Sequence, residues 1–437
     1  MSSIKGMAHP GAVGQTDEAR VYAKVTWRLI PLLFMCYVVA YLDRVNVGFA
    51  KLQMLKDLGF SETVYGLGAG IFFIGYFLFE VPSNNIILHK VGARVWIARV
   101  MITWAVISAA TMFVTTPTMF YLVRFLLGIA EAGLFPGVIL YLTYWYPSKR
   151  RSKMIALFMT GIPVAGVIGG PVSGWIMHSM GGMNGWASWQ WLFLIEAIPS
   201  VIMAVAVLAC LQDRVADAKW LTEGERKLIA DDIAHDQKQT QSHNLRDGFT
   251  NPRVWLMCGI YFFFAIGLYG TGFFLPTLIK NSGATDPLTV GMLTMLPYAA
   301  ATIAMILVSR SSDARRERRW HITAPAWIGA LSWVVAVQFS HNLVVAMAAL
   351  TVVTCCVVIT ISQFWCLPTA ILSGAAAVAG IAVVNSLGNL SGFLGPFFIG
   401  WVSDKTHSTD IGLYVMAVSI FIGGALVLRV KKELVNR

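Results

Sequence analysis

Apolar stretches of roughly 20 residues, the length an α-helix needs to cross ~30 Å of hydrocarbon, recur along this chain. They begin near Trp27, Thr63, Arg94, Met119, Met154, Gln190, Trp255, Leu288, His321, Leu343, Val378 and Ile411. Six precede and six follow one long polar segment, about Gln212 to Asn251, whose Glu223, Glu225, Arg226, Lys227, Asp231 and Asp232 mark a solvated amphipathic linker. The pattern predicts an all-α membrane protein with twelve transmembrane helices in two six-helix bundles, residues 27–211 and 252–430. Segments 1–26, 212–251 and 431–437 are expected on the cytoplasmic side. Residues 1–26 hold Lys5, Arg20 and Lys24 but no apolar core, so no cleavable signal peptide is expected and the first span stays attached.

Composition supports the bilayer: 57% hydrophobic residues and a mean hydropathy of +0.67 over 437 positions exceed what a soluble globule carries. The net charge of +11 follows from topology, because basic residues collect in loops that stay in the cytoplasm. With the N-terminus inside, Lys51, Lys56, Lys280 and Lys405 fall outside, Arg44 and Arg124 fall within the membrane, and every other lysine and arginine falls inside. Nucleic acid is therefore not an expected partner. Cys36, Cys210, Cys258, Cys355, Cys356 and Cys366 lie in apolar runs without metal-ligand spacing, which favours packing over a disulfide framework, and neither a metal nor a cofactor is expected. Trp186, Trp189 and Trp191 fit an interfacial aromatic belt.

Charge inside the spans is the informative exception. Asp43 and Arg44 lie near the end of the first span, and Arg124 and Glu131 lie in the fourth. An ionised group in hydrocarbon costs several kcal/mol or more, so such groups are expected to face one another or a watery path for a charged solute. If the first span ends near Ala50, Asp43 and Arg44 lie roughly 10 Å below the outer surface, against about 9 Å for Arg124 and about 20 Å for Glu131. Arg124, Gly128, Glu131 and Phe135 share one helix face, as do Tyr37, Tyr41 and Arg44. The two stripes are expected to wall one polar cavity. A buried structural ion pair is the competing reading, but Glu131 sits two turns from Arg124. A carboxyl beside arginine in such a site has a protonation state that depends on whether an anion occupies the arginine, which suits proton coupling.

Glu80 and Glu196 also approach the spans. Glu80 reads better as a salt bridge near a span end, Glu196 fits either role, and both are left out of the core site. The second six spans carry no Asp, Glu, Lys or Arg away from their ends and offer Tyr269, Tyr298, Gln363, Asn385 and Asn389 instead. Interhelical hydrogen bonding is an equal alternative for each. An asymmetric pocket is expected, with charge recognition on one side and neutral polar contacts on the other. Gly66-Leu67-Gly68-Ala69-Gly70 opens a membrane helix with no preceding strand, so close helix packing outweighs a nucleotide loop, and the Gly161 to Pro171 stretch reads as tight packing or flexing. No Walker-type loop is present, and no Ser-His, paired-Asp or metal-ligand set lies at membrane depth, so an enzyme is not expected.

Tyr41-Leu42-Asp43-Arg44-Val45-Asn46-Val47-Gly48 and the stretch Arg124-Phe125-Leu126-Leu127-Gly128-Ile129-Ala130-Glu131-Ala132-Gly133-Leu134-Phe135-Pro136-Gly137, with Tyr144-Trp145-Tyr146-Pro147 and its basic cluster, resemble the anion:cation symporter family of the major facilitator superfamily. Within it the chain is most similar to bacterial carriers for sugar acids such as galactonate and glucarate, tartrate and phthalate. The resemblance implies that Asp43 and Glu131 load and release protons and that Arg44 and Arg124 engage the substrate carboxylate. Tyr41, Tyr76 and Asn385 or Asn389, with Gln363, would contact the rest of the solute. It also implies a functional monomer in the bacterial inner membrane with both termini cytoplasmic. The expected activity is proton-coupled symport of a small organic anion by alternating access; a proton antiporter or an uncoupled facilitator is the alternative. The superfamily's loop signature is degraded at Pro82-Ser83-Asn84-Asn85, leaving Gly92 and Arg94, and better kept at Asp313, Arg315 and Arg316.

Overall fold

Several spans begin where the sequence supplies both a cap and a proline that tolerates the first helical position. Thr116 accepts from Met119 N before Pro117, Asn251 from Arg253 N before Pro252, and Asp286 from Thr289 N before Pro287. A computed structural model of the chain describes residues 10–86, 91–240, 251–371 and 374–436, and these are helical nearly throughout. The first half comprises α1 (Pro10–Val45), α2 (Val47–Leu58), α3 (Glu62–Ile86), α4 (Ala93–Ala110), α5 (Pro117–Glu131), α6 (Leu134–Thr143), α7 (Ser148–Met159), α8 (Gly161–Ser179) and α9 (Ser188–Cys210). After the linker helix α10 (Glu223–Thr240), the second half comprises α11 (Pro252–Asn281), α12 (Pro287–Arg315), α13 (Arg319–Gln338), α14 (Leu343–Phe364), α15 (Cys366–Ile371), α16 (Gly374–Asn389), α17 (Ser391–Thr406) and α18 (Asp410–Val427).

Among the described residues, eleven helical stretches are long and apolar enough to cross a membrane. A twelfth crossing is made by α16 and α17 in succession, since Leu390 between them keeps right-handed helical dihedrals. The side chain of Val378, where the eleventh span was expected to start, lies outside the description, as do residues 1–9, 241–250 and 437 and the side chains of Pro82-Ser83-Asn84-Asn85.

The first crossing runs on through α2 to Leu58, well past the expected end at Ala50, because Asn46 also keeps helical dihedrals. Asp43 and Arg44 consequently lie about 20 Å from that end, near the middle of the bundle. Lys51, expected outside, is buried: its ammonium pairs with Glu62 at 2.7 Å and lies over the Tyr65 and Phe274 rings. Trp189 is likewise buried and donates to Asp57 rather than sitting in an interfacial belt.

Glycine sets how the halves meet. In α3, Gly66 and Gly70 face α17, where an added Cβ would stand 2.3 Å from the Pro396 oxygen and 2.8 Å from that of Phe393, while Gly68 and Gly75 face α5. Gly170 of α8 and Gly291 of α12 press together as closely. Both interfaces join the two halves, and small residues let such backbones approach. On the side away from the linker, further bonds cross between halves. Asp404 of α17 accepts from the Glu62 and Thr63 amides that open α3, Tyr65 donates to the Phe273 carbonyl, and Lys280 donates to that of Leu52.

Candidate functional site

Between the halves lies a narrow cavity. The first half contributes Tyr37, Tyr41, Arg44, Tyr76, Leu134, Phe135, Met159 and Ile162, and the second Tyr261, Leu268, Tyr269, Asn385 and Asn389. Tyr37, Tyr41 and Arg44 arrive together because positions i, i+4 and i+7 share one face of α1.

Arg44 is the cation on this wall, and it is not free. Its Nε and Nη2 both donate to Glu131 Oε2, at 3.1 and 2.8 Å, bringing α1 onto the end of α5. Glu131 is 1% exposed and its Oε1 has no hydrogen-bond partner. The pair is thus a buried charge-assisted contact with one unsatisfied oxygen, next to a cavity.

Arg124 stands apart from the cavity. It is fully buried, its Nε reaches the Gly68 carbonyl at 3.4 Å, and both terminal nitrogens lack hydrogen-bond partners. The Phe72 ring contacts both arginines, its centroid 5.3 Å from the Arg44 guanidinium carbon and 5.1 Å from that of Arg124. Gly128 makes room for this arrangement, since a Cβ there would fall 1.9 Å from the Phe72 oxygen.

Asp43 also departs from the expected single chamber. Its carboxylate accepts from Ser108 Oγ and Trp104 Nε1 of α4 and from Ser200 Oγ of α9, at 3.2, 3.1 and 2.6 Å. It therefore points into the packed first half, away from the lining that holds Arg44. Gln363 is engaged elsewhere too, donating to Ser309 of α12 at 2.7 Å and standing outside the cavity lining.

Tyr41, Tyr76, Asn385 and Asn389 do line the cavity with Arg44. Asn389 accepts from the Tyr269 hydroxyl at 2.7 Å. Asn385 donates to Glu80 Oε1 at 2.6 Å, and Ser386 donates to Oε2 at 2.7 Å, tying α3 to α16 across the halves on the linker side. Glu80, set aside in the sequence as a salt-bridge residue near a span end, is 4% exposed and belongs to this boundary. Tyr261 gave no sequence signal of its own; it stacks on Phe364 at 5.1 Å and reaches the cavity only through the packing of α11 on α14. Among the described residues no group of three or more His, Cys, Asp or Glu side chains is placed to hold a metal ion.

Residues 33–396 match the family described as Major Facilitator Superfamily. A Pseudomonas putida protein named for metabolite transport, NicT, is 47% identical over 95% of this chain and 96% of its own length. An Agrobacterium vitis protein named as a tartrate transporter is 47% identical over 96% of this chain and 93% of its own. A quinolone resistance transporter of Acinetobacter baumannii is 39% identical over 93% of this chain and 94% of its own. The crystal structure of a D-xylose-proton symporter superposes with a TM-score of 0.72 at 15% identity, covering 94% of this chain and 99% of that one, a likeness of fold alone.

Proposed function

We propose a function from one premise: this chain belongs to the Major Facilitator Superfamily and is a multi-pass membrane transporter, not an enzyme. It imports a small organic anion together with protons across the bacterial inner membrane, with both termini and the linker in the cytoplasm. Residues 27–211 and 252–430 rock about the central cavity as a functional monomer, in the manner of alternating access.

The observation that carries this reading is the Arg44–Glu131 pair on the wall of a cavity between the halves. A carboxylate solute binding Arg44 displaces Glu131, and a proton on Glu131 removes the charge that displacement would strand. Anion and proton therefore load together, and the site closes with less exposed charge. Tyr41, Tyr76, Asn385 and Asn389 offer hydrogen bonds to hydroxyl groups, which suits tartrate and sugar acids, while the aromatic lining suits an aromatic carboxylate. Arg124, with its unpartnered nitrogens beside Phe72, meets the anion when the far side opens. Asp43 takes a proton inside the first half, and Gln363 serves the second half as a packing contact to Ser309.

Labelled tartrate in proteoliposomes tests the reading. An inward proton gradient should drive accumulation that a protonophore abolishes. Uptake that only equilibrates, whatever the gradient, would replace symport with facilitated diffusion. Proton-coupled export is the second reading, favoured by the resistance transporter among the relatives and by the tyrosine-rich lining; uptake driven by an outward proton gradient would establish it.

A further inference from the structure

Glu196 of α9 is a buried carboxyl that the cycle above does not use. It is 1% exposed, and its Oε1 accepts from Ser173 Oγ of α8 at 2.6 Å. Its Oε2 has no hydrogen-bond partner. Asn46 faces it from the start of α2, yet both polar atoms of that amide also lack partners. Three unpartnered polar atoms thus meet in one buried spot.

The geometry relates this spot to Asp43. Asp43 and Asn46 are three residues apart on one continuous helix, and Glu196 and Ser200 are four apart on another, so each pair shares a face. Ser200 donates to Asp43, which sets Glu196 opposite Asn46, about one turn or ~5.4 Å further along. No Lys or Arg reaches this cluster among the described residues. Asp43 is the titratable group acting on Glu196. From the packed elements, α4 presents Trp104 and Ser108, α8 presents Ser173, the Lys51 charge of α2 is taken by Glu62, and Asp57 binds Trp189 at the far end. Glu131, the remaining acid acting on Asp43, is held by Arg44.

Two carboxyls about one helical turn apart in low dielectric, with no cation beside them, resist carrying charge at the same time. Their hydrogen bonds divide the roles. Asp43 receives three donors and is equipped for charge, whereas Glu196 receives one full hydrogen bond, from Ser173, and its other oxygen lies beside the Asn46 amide, where a protonated acid can donate to the amide carbonyl. Asn46 and Ser173 also line a second, small cavity bounded by α1, α2, α8, α11 and α12. That cavity is separate from the one holding Arg44.

We infer that Glu196 is a second proton site, filled from this second cavity and exchanging its proton with Asp43, so that protons reach Asp43 by a route the substrate does not share. In the exchange, the Glu196 O–H bond breaks and an O–H bond forms on Asp43, leaving Glu196 anionic. A proton from water in the second cavity then restores it. The role within transport rests on the symport reading above; the proton site itself does not.

Infrared spectroscopy of the purified full-length protein without substrate tests it, following the C=O band of protonated carboxyl groups across pH. At pH 7, Glu196→Gln should remove the intensity of one carboxyl, and an undiminished band would overturn the proposal. Ser173→Ala, which leaves Glu196 in place, should move the frequency of that same band by taking away its hydrogen bond; an unmoved band also counts against it. Asp43→Asn should displace the pH at which the band titrates, and a fixed titration would sever the link between the two acids. In proteoliposomes, Glu196→Gln should alter the pH profile of tartrate counterflow, with Glu196→Asp restoring it in part. If wild-type protein shows no proton-driven uptake, the symport reading falls while the infrared result still decides the site.

Discussion

The two halves share an architecture and differ in what they bury. The first half encloses Asp43, Arg44, Lys51, Glu80, Arg124, Glu131 and Glu196, each under a tenth exposed, whereas the buried polar groups described in the second half are neutral hydroxyls and amides such as Thr271, Gln363, Asn385, Ser386 and Asn389. Buried charge is costly to rearrange without a partner, while neutral groups exchange hydrogen bonds at little net cost. On the proposed symport reading, energy conversion falls to the first half, and the second half moves without carrying buried ionised groups.

The hardest test of that division is Arg44→Ala. It removes the anion's partner and leaves Glu131 buried and unpaired, a loss of about 3–5 kcal/mol, so tartrate counterflow should vanish and the melting temperature should fall. Arg44→Lys should rescue little, because one ammonium does not reproduce the guanidinium fork. Asn385→Ala, its counterpart across the cavity, should weaken apparent affinity only about fivefold, the scale of one hydrogen bond of about 1 kcal/mol. Equal losses at the two positions would erase the distinction between the halves.

Next in size is Glu131→Gln. Exchange of labelled for unlabelled substrate should persist while proton-driven accumulation disappears. Accumulation at the wild-type level would move proton coupling off this residue and leave Glu131 a structural partner of Arg44.

Much of this division was legible in the sequence. Apolar run lengths mark the crossings, and the i, i+4, i+7 spacing of Tyr37, Tyr41 and Arg44 marks a cavity wall. Other positions were not, for physical reasons. Asp43 precedes Arg44 immediately, and adjacent helical residues point about 100° apart, so the two acquire different neighbours. Arg124 and Glu131 share a face, but roughly 10 Å of helix separates them, and Glu131 pairs with Arg44 while Arg124 lies over the Phe72 ring. Glu80 lies near a span end, and nothing local announces that Asn385 and Ser386, some 300 residues later, will meet it.

Packing offers a test independent of charge. Gly128→Ala places a methyl group against the Phe72 backbone, and overpacking of that kind costs about 1–3 kcal/mol. Gly259→Ala meets only Leu426 Cδ1, at 3.8 Å. A melting temperature lowered by several degrees in the first and nearly unchanged in the second would show that the close α3–α5 contact at Gly128 and Phe72 carries stability. A stable Gly128→Ala protein with normal transport would mean that this spacing matters less than the charges themselves.

The smallest effect probes the neutral wall. Tyr269→Phe deletes the hydroxyl that donates to Asn389 Oδ1 and keeps the ring against Phe73, 4.2 Å away. A lost neutral hydrogen bond is worth about 0.5–1.5 kcal/mol, which corresponds to a rise in KM for tartrate of up to about tenfold with the maximal rate little changed. Because the bond to Asn389 joins two neutral groups, the pH profile of uptake should superpose on that of the wild type. A displaced profile would be the more instructive failure, since it would make Tyr269 part of the electrostatics around Arg44 and extend the charged machinery across the cavity into the second half.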